Sequence, residues 1–301
     1  MISGRQLDMR PLQLRRTPHV KTIQASLAIE GNSLTFDQVT DVVAGKMVLG
    51  PAKDILEVKN AVSVYEKLGS FNPLSCEDLL KAHGILMKGL LDENGMWRCG
   101  NVGVFKGTAV SHIAPQSKRV PELMNDLFQF LAKNHDISWL LKACIFHYEF
   151  EFIHPFADGN GRIGRLWQQL ILMKEDSIFE FVPVEVLIKE HQEDYYRVLG
   201  ESDACGESTP FIEFSLDVIQ RALEDYTGDL KFQPQDAASR LNTAHEKFSE
   251  NWFSRKDYLD LHSRISTATA SRDLAYGLHE NILMRKGDKN QTHYQFLGNT
   301  N

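Results

Sequence analysis

From His154 to Arg165 the chain reads His-Pro-Phe-Ala-Asp-Gly-Asn-Gly-Arg-Ile-Gly-Arg, and few folds accommodate such a run. Pro155 disfavours helical geometry in the residue before it, so a helix over Leu140–Ile153 must stop at His154. Gly159 and Gly161 let the backbone turn tightly and point N–H groups at an anion. The apolar residues from Leu166 to Met173 read as a buried helix, with the glycine turn at its N-terminus. A helix N-terminus favours bound phosphate through its free N–H groups and its dipole. His154 can take a proton near neutral pH, and Asp158 offers hard oxygen ligands for magnesium. Arg162 and Arg165, three apart, lie on one helical face and suit successive phosphates. A lone Gly-Asn-Gly would suggest only an Asx turn opening a core helix. The whole run suits a harder task, holding a polyphosphate while a hydroxyl group attacks it.

Composition narrows the setting of this site. At 301 residues, with 43% hydrophobic and 24% charged residues, the chain is long enough for one large domain or two unequal ones. A net charge of −7 argues against a generic nucleic-acid-coating protein. Cys76, Cys99, Cys144 and Cys205 show no C-x-x-C pair and read as free thiols of a reducing compartment. No apolar stretch reaches the roughly 18 residues of a membrane span. Arg5, Arg10, Arg15 and Arg16 interrupt any signal-peptide core. The expectation is a cytoplasmic protein.

Helical periodicity dominates: segments near 35–48, 54–68, 76–91, 121–134, 137–153, 161–174, 189–200 and 210–228 carry apolar residues three and four apart. Ser75 ahead of Glu77 and Asp78, and Pro121 with Glu122, mark helix starts. His147 and His154 fall on one face of a helix, but no third ligand accompanies them, so His147 reads as structural. Asn101–Pro115, with Lys106-Gly107 at its centre, reads as a β-hairpin. A polar, helix-breaking stretch around Phe232–Ala238 is a candidate linker. Beyond it, two short helices, a Ser/Thr-rich start to a third, and two strands around a Gly-Asp turn suggest a winged helix-turn-helix, with a recognition helix starting near Thr269. From Gln235 to Asn301 there are nine Lys/Arg and eight Asp/Glu, without the basic excess of a DNA reader. Arg285, Lys286 and Lys289 favour DNA, whereas Asp273 and Glu280 oppose Arg272. Protein docking or dimer building is the favoured role of this unit, ahead of DNA binding.

The run from His154 to Arg165 resembles the Fic signature, His-x-Phe-x-(Asp/Glu)-Gly-Asn-Gly-Arg-x-x-Arg, and matches it at every specified position. The resemblance implies a mainly α fold, a Fic-type helical bundle with a β-hairpin flap that aligns the target's hydroxyl-bearing segment. It also implies transfer of AMP from ATP to a Ser, Thr or Tyr hydroxyl of a target protein. His154 would then be the base and Asp158 the ligand of Mg2+ bridging the α- and β-phosphates. Gly159, Asn160 and Gly161 would cradle the phosphates, with Asn160 catalytic beside His154. Arg162 and Arg165 would hold the β- and γ-phosphates, and Phe156 would anchor the loop. Tyr195 and Tyr196 resemble a tyrosine pair that lines the adenine side in relatives, although adjacent tyrosines also serve packing.

Near the N-terminus, Ser26-Leu-Ala-Ile-Glu30-Gly31 resembles the inhibitory motif (Ser/Thr)-x-x-x-Glu-(Gly/Asn) of the second class of Fic proteins. It implies that Glu30 pairs with Arg165 and removes the cation meant for the γ-phosphate. A helix C-cap at Gly31 explains the same residues without inhibition. The expected divisions are an N-terminal segment over 1–50, a Fic core over 51–232 and a winged-helix-like domain over 239–301. AMP removal by the same fold and a nucleotide-sensing DNA-binding regulator stand as alternative functions, and homodimer formation is an open alternative among partners.

Overall fold

The computed structural model describes residues 12–106, 109–232, 236–249, 251–262, 265–287 and 292–297. The chain divides into two units, Met1–Gly228 and Asp229–Asn301. In the first, helices α1 (Leu12–Ile29), α2 (Phe36–Val43), α3 (Ala52–Tyr65) and α4 (Cys76–Leu86) precede a two-stranded antiparallel hairpin, β1 (Gly103–Lys106) and β2 (Ala109–Ile113). Then follow α5 (Val120–Lys133), α6 (Trp139–Ile153), α7 (Asn160–Leu172), α8 (Val184–Glu190), α9 (Gln192–Cys205) and α10 (Thr209–Phe232). The single helix expected over 189–200 is instead two, broken at His191 (φ −109°, ψ 34°). Gly107, the expected hairpin turn, lies outside the described residues, as does Lys289. No described helix is long and apolar enough to cross a membrane.

The helix starts follow from side-chain caps. Ser75 Oγ accepts from the Asp78 N–H and Ser138 Oγ from the Leu141 N–H, each satisfying a donor that a first turn leaves open. Thr35 and Gln38 form a reciprocal capping box. Helix α5 begins with Pro121 in its first turn, where a missing N–H costs nothing.

Helices α6 and α7 form the centre of the first unit. Phe146, Phe150, Ile163, Leu166, Trp167 and Ile171 are fully or almost fully buried, each contributing roughly 2–3 kcal/mol of apolar burial. Helix α6 is buried around most of its circumference, which explains why its apolar residues form a broad band rather than one stripe. The loop 154–159 joins these two packed helices, so the signature is held by the most buried elements of the unit. Helix α1 packs on α3 and α8 and buries Val20, Thr22, Ile23, Ala25, Ser26, Leu27 and Ile29.

In the second unit, α11 (Ala237–Phe248), β3 (Phe253–Ser254), α12 (Arg255–Leu261), α13 (Thr267–His279), β4 (Leu283–Lys286) and β5 (His293–Phe296) enclose Leu241, Phe253, Tyr258, Leu274, Leu283 and Phe296. The sheet order is β3-β5-β4, antiparallel throughout. Asp273 does not oppose Arg272 at the surface: it is 2% exposed and takes a two-pronged bond from Arg240 (2.6 and 2.7 Å).

Candidate active site

His154 caps α6 in the left-handed conformation (φ 49°, ψ 61°), with its N–H donating to Phe150 O at 3.0 Å. Left-handed backbone is unfavourable for a residue with a Cβ, so the surrounding structure must hold it there. The chain then turns through Phe156, which is fully buried and stacks on His83 with ring centroids 3.6 Å apart. Asn160 closes the loop by accepting from the Phe156 N–H and donating to the Phe156 carbonyl, both at 2.9 Å. Its side chain is therefore spent on shaping the loop.

Gly159 precedes α7 at φ +85°, and a Cβ there would lie 2.7 Å from the Met87 sulfur. Among the described residues no side chain caps α7, so its opening N–H groups remain available to an anion. Asp158 is half exposed; its Oδ1 accepts from the Gly159 N–H (2.6 Å) and from Arg162 Nη2 (3.0 Å).

Both arginines of the run are buried. Arg165, 1% exposed, donates from Nε to Ser26 Oγ (3.1 Å) and from Nη2 to the Ser26 carbonyl (3.0 Å) and Glu30 Oε1 (2.7 Å). Burial works against the charge on Arg165, but the Glu30 carboxylate outweighs it and holds the guanidinium more firmly protonated than usual. The same carboxylate presses on the first turn of α7, where a Cβ on Gly161 would collide with Glu30 Oε1. Arg162 donates from Nη1 to Glu57 Oε1 at 3.0 Å. Arg165 Nη1 and Arg162 Nε are buried donors with no hydrogen-bond partner among the described residues, a feature expected where a ligand oxygen is to arrive.

Three residues that sequence reasoning missed complete the site. Glu57, on α3, gives its second oxygen to Asn32 Nδ2 (2.8 Å), and Asn32 lies two residues beyond Glu30. His83, on α4, accepts from the Gly95 N–H through Nδ1 (2.9 Å), so its Nε2 carries the proton and donates to the Asp158 carbonyl (2.9 Å). Burial pushes its pKa down to about 4, keeping it neutral. The one available signal was positional: Glu57 falls on the buried stripe of α3 with Ala61 and Val64, where a solvated carboxylate has no place.

The tyrosine pair divides. Tyr195 is 2% exposed and meets His147 Nε2 at 3.1 Å, while His147 Nδ1 meets Gln168 at 2.7 Å. Burial lowers the His147 pKa to about 3, a neutral structural histidine as its lone position suggested. Tyr196 is 36% exposed.

The Fic/DOC family profile matches residues 73–172. The chain is similar to the protein adenylyltransferase Fic of Nematostella vectensis, 29% identical over 242 residues, covering 76% of this chain and 54% of that protein. It is similar to protein adenylyltransferase fic-1 of Caenorhabditis elegans at 28% identity over 232 residues, covering 73% of this chain and 43% of that one. The chain thus spans about half the length of these curated relatives. Among solved structures, a Fic family protein from Desulfovibrio desulfuricans G20 is 40% identical, with a TM-score of 0.72 and coverage of 99% of this chain and 91% of that one. A fragment of C. elegans Fic-1 is 25% identical, with a TM-score of 0.60 and coverage of 77% and 68%. With its signature on the loop between two buried helices and a 40%-identical relative aligned along nearly its whole length, the chain belongs to the Fic family.

Proposed function

We propose that this protein transfers AMP from ATP to a hydroxyl side chain of a target protein, itself included, and that Glu30 restrains the transfer. The carrying observation is the convergence on one short loop of a helix-ending histidine, an uncapped helix N-terminus and two buried arginines with unused donors. His154 takes the proton of the attacking hydroxyl. The N–H groups of Asn160 and Gly161 receive negative charge growing at the α-phosphate, that of Gly159 being taken by Asp158, and the Asn160 side chain keeps the loop in shape for them. Arg162 and Arg165 hold the β- and γ-phosphates so that the α-phosphate faces the hydroxyl in line.

The described residues contain no group of three or more His, Cys, Asp or Glu able to hold a metal unaided. One half-exposed carboxylate, Asp158, fits magnesium, which binds through one or two carboxylates together with substrate phosphates. The ion would supply charge neutralisation at the phosphates. Tyr196 remains the tyrosine with exposed surface for an adenine ring, and Tyr195 supports it from inside.

Glu30 occupies the place of an anion: its carboxylate sits on the first turn of α7 and on Arg165. ATP that binds while it stays there lacks the γ-phosphate grip and turns its α-phosphate away from attack. The same carboxylate could orient a water molecule, so AMP removal is the second reading. The C-terminal unit is proposed to be a winged helix, with protein docking preferred to DNA binding.

Intact-mass measurement of wild type, Glu30→Gly and Glu30→Gly/His154→Ala incubated with ATP and magnesium tests the proposal. One AMP unit gained by Glu30→Gly alone is the expected result. Equal labelling of wild type and Glu30→Gly would overturn the restraint, and no labelling of any form, with or without added candidate targets, would overturn the transfer.

A further inference from the structure

We propose that Arg98 is a positioning residue that joins both feet of the hairpin to the loop bearing His154, an inference that rests on the transfer reading. Arg98 is 2% exposed, and among the described residues each of its hydrogen bonds goes to a main-chain carbonyl. Its Nε donates to His154 O at 2.7 Å and its Nη2 to Ile153 O at 3.3 Å, while its own N–H donates to Pro155 O at 3.0 Å. Three successive carbonyls at the end of α6 are thereby held from one residue. The rest of the fork holds the hairpin: Nη1 donates to Gly100 O (2.8 Å), just ahead of β1, and Nη2 donates to Pro115 O (2.5 Å), just beyond β2.

Each part of this arrangement has a physical reason. The last carbonyls of a helix lack partners and carry partial negative charge, so a buried cation there needs no carboxylate. The left-handed backbone of His154 persists only if over-determined, and Arg98 fixes the carbonyls on both sides of it. A planar guanidinium presents donors in several fixed directions at once; a lysine ammonium has equal charge but cannot span carbonyls of the helix end and both hairpin feet. If the hairpin aligns the target hydroxyl and His154 removes its proton, Arg98 sets the distance between them. It is buried and its guanidinium bonds go to main-chain carbonyls, so its loss should appear in kcat and not in ATP affinity.

The test uses the full chain in the Glu30→Gly background, with Arg98→Lys to keep charge and remove the fork. Two readouts are taken at a temperature where the variant is fully folded: AMP-transfer kinetics with ATP Kd, and hydrogen exchange of peptides covering 114–117 and 153–158. We expect an ATP Kd within about twofold and a kcat lower by about 30- to 100-fold, the scale of a misplacement near 1 Å. Exchange should rise in both peptides together. A kcat within threefold of the parent, or unchanged exchange in either peptide, would overturn the proposal. Should Arg98→Lys not fold, Asn101→Ala decides: Asn101 is exposed and its Oδ1 accepts from Ser117 N at 2.9 Å, bracing the hairpin foot from outside. A lower kcat at constant Kd supports the proposal, and an unchanged kcat overturns it. If the Glu30→Gly parent transfers no AMP, the functional reading has failed and the paired exchange result alone decides the coupling.

Discussion

Glu57→Gln tests whether the phosphate-side arginines are held as the geometry indicates. Glu57 is 6% exposed and serves two donors, Arg162 Nη1 at 3.0 Å and Asn32 Nδ2 at 2.8 Å. Glutamine supplies one acceptor oxygen and turns an NH2 group towards the other donor, so one bond is lost and a donor–donor contact replaces it. Breaking a buried ion pair outright typically costs about 3–5 kcal/mol. Here Arg162 keeps Asp158 (3.0 Å), and glutamine keeps one bond, so the expectation is about 2–3 kcal/mol. For a unit of this size that corresponds to a midpoint lower by about 5–10 °C. Urea unfolding followed by tryptophan fluorescence reads the free-energy loss, and a thermal melt the midpoint, in a Trp252→Phe background so that Trp97, Trp139 and Trp167 report only the first unit. Asn32→Ala supplies the decisive comparison: without the Asn32 amide, the glutamine NH2 faces no donor. Glu57→Gln should then cost about 1 kcal/mol less than in the parent, a coupling that distant sites do not show. Equal costs in both backgrounds, or a loss under about 0.5 kcal/mol in the parent, would refute the assignment of Glu57 as the carboxylate shared by Arg162 and Asn32.

His83 predicts an acid-side slope. Its folded pKa of about 4 lies below the unfolded value near 6.5, so the unfolded chain takes the proton first and stability falls as pH drops from about 6.5 to about 4. His83→Gln should flatten that slope by about one proton, roughly 1.4 kcal/mol per pH unit; an unchanged slope would show that His83 is charged in the folded protein. In the second unit, Arg240→Met leaves the buried Asp273 without its main partner and should destabilise that unit by about 3–5 kcal/mol, read from Trp252 fluorescence. Arg240→Met/Asp273→Leu should recover most of the loss; no recovery would mean the pair is not what holds α11 to α13.

The signature was legible because its chemistry is contiguous: a proline that stops one helix, glycines that open the next, and arginines spaced by one turn. The capped helices were legible for the same local reason. Helix α1 was visible only through the Ser26–Glu30 motif, since Pro18 lies inside it and it buries Thr22 and Ser26 alongside Val20, Ile23 and Leu27. A helix buried on several sides shows no amphipathic stripe to count. Glu57, His83 and Arg98 stayed invisible because their partners lie 105, 75 and 56 residues away. Charged and aromatic side chains at such positions are assigned to the surface by default, and only packing reveals what they hold. Asp273 illustrates the converse: in the sequence it reads as a charge opposing Arg272, yet it is spent inside the unit on Arg240.

These distant residues change what the local run means. Both arginines assigned to phosphate are already matched by carboxylates from outside the run, Arg165 by Glu30 of the α1 terminus and Arg162 by Glu57 of α3. Asn32 joins the two matches, since it follows Glu30 by two residues and donates to Glu57. The proposed phosphate site is therefore electrostatically satisfied before any nucleotide arrives, and a phosphate must displace carboxylates rather than fill bare cations. Displacing one carboxylate strains its neighbour through Asn32, so the two arginines should be released together. Apparent ATP affinity then falls by the fraction of molecules in which both are open. On this account Glu30→Gly does more than remove a charge from Arg165. It frees the end of α1, weakens the Asn32 contact to Glu57 and opens Arg162 as well, so Glu30→Gly and Asn32→Ala should gain ATP affinity less than additively. Strict additivity would mean that the two carboxylates act as independent locks, and that Asn32 merely ends the turn after Gly31.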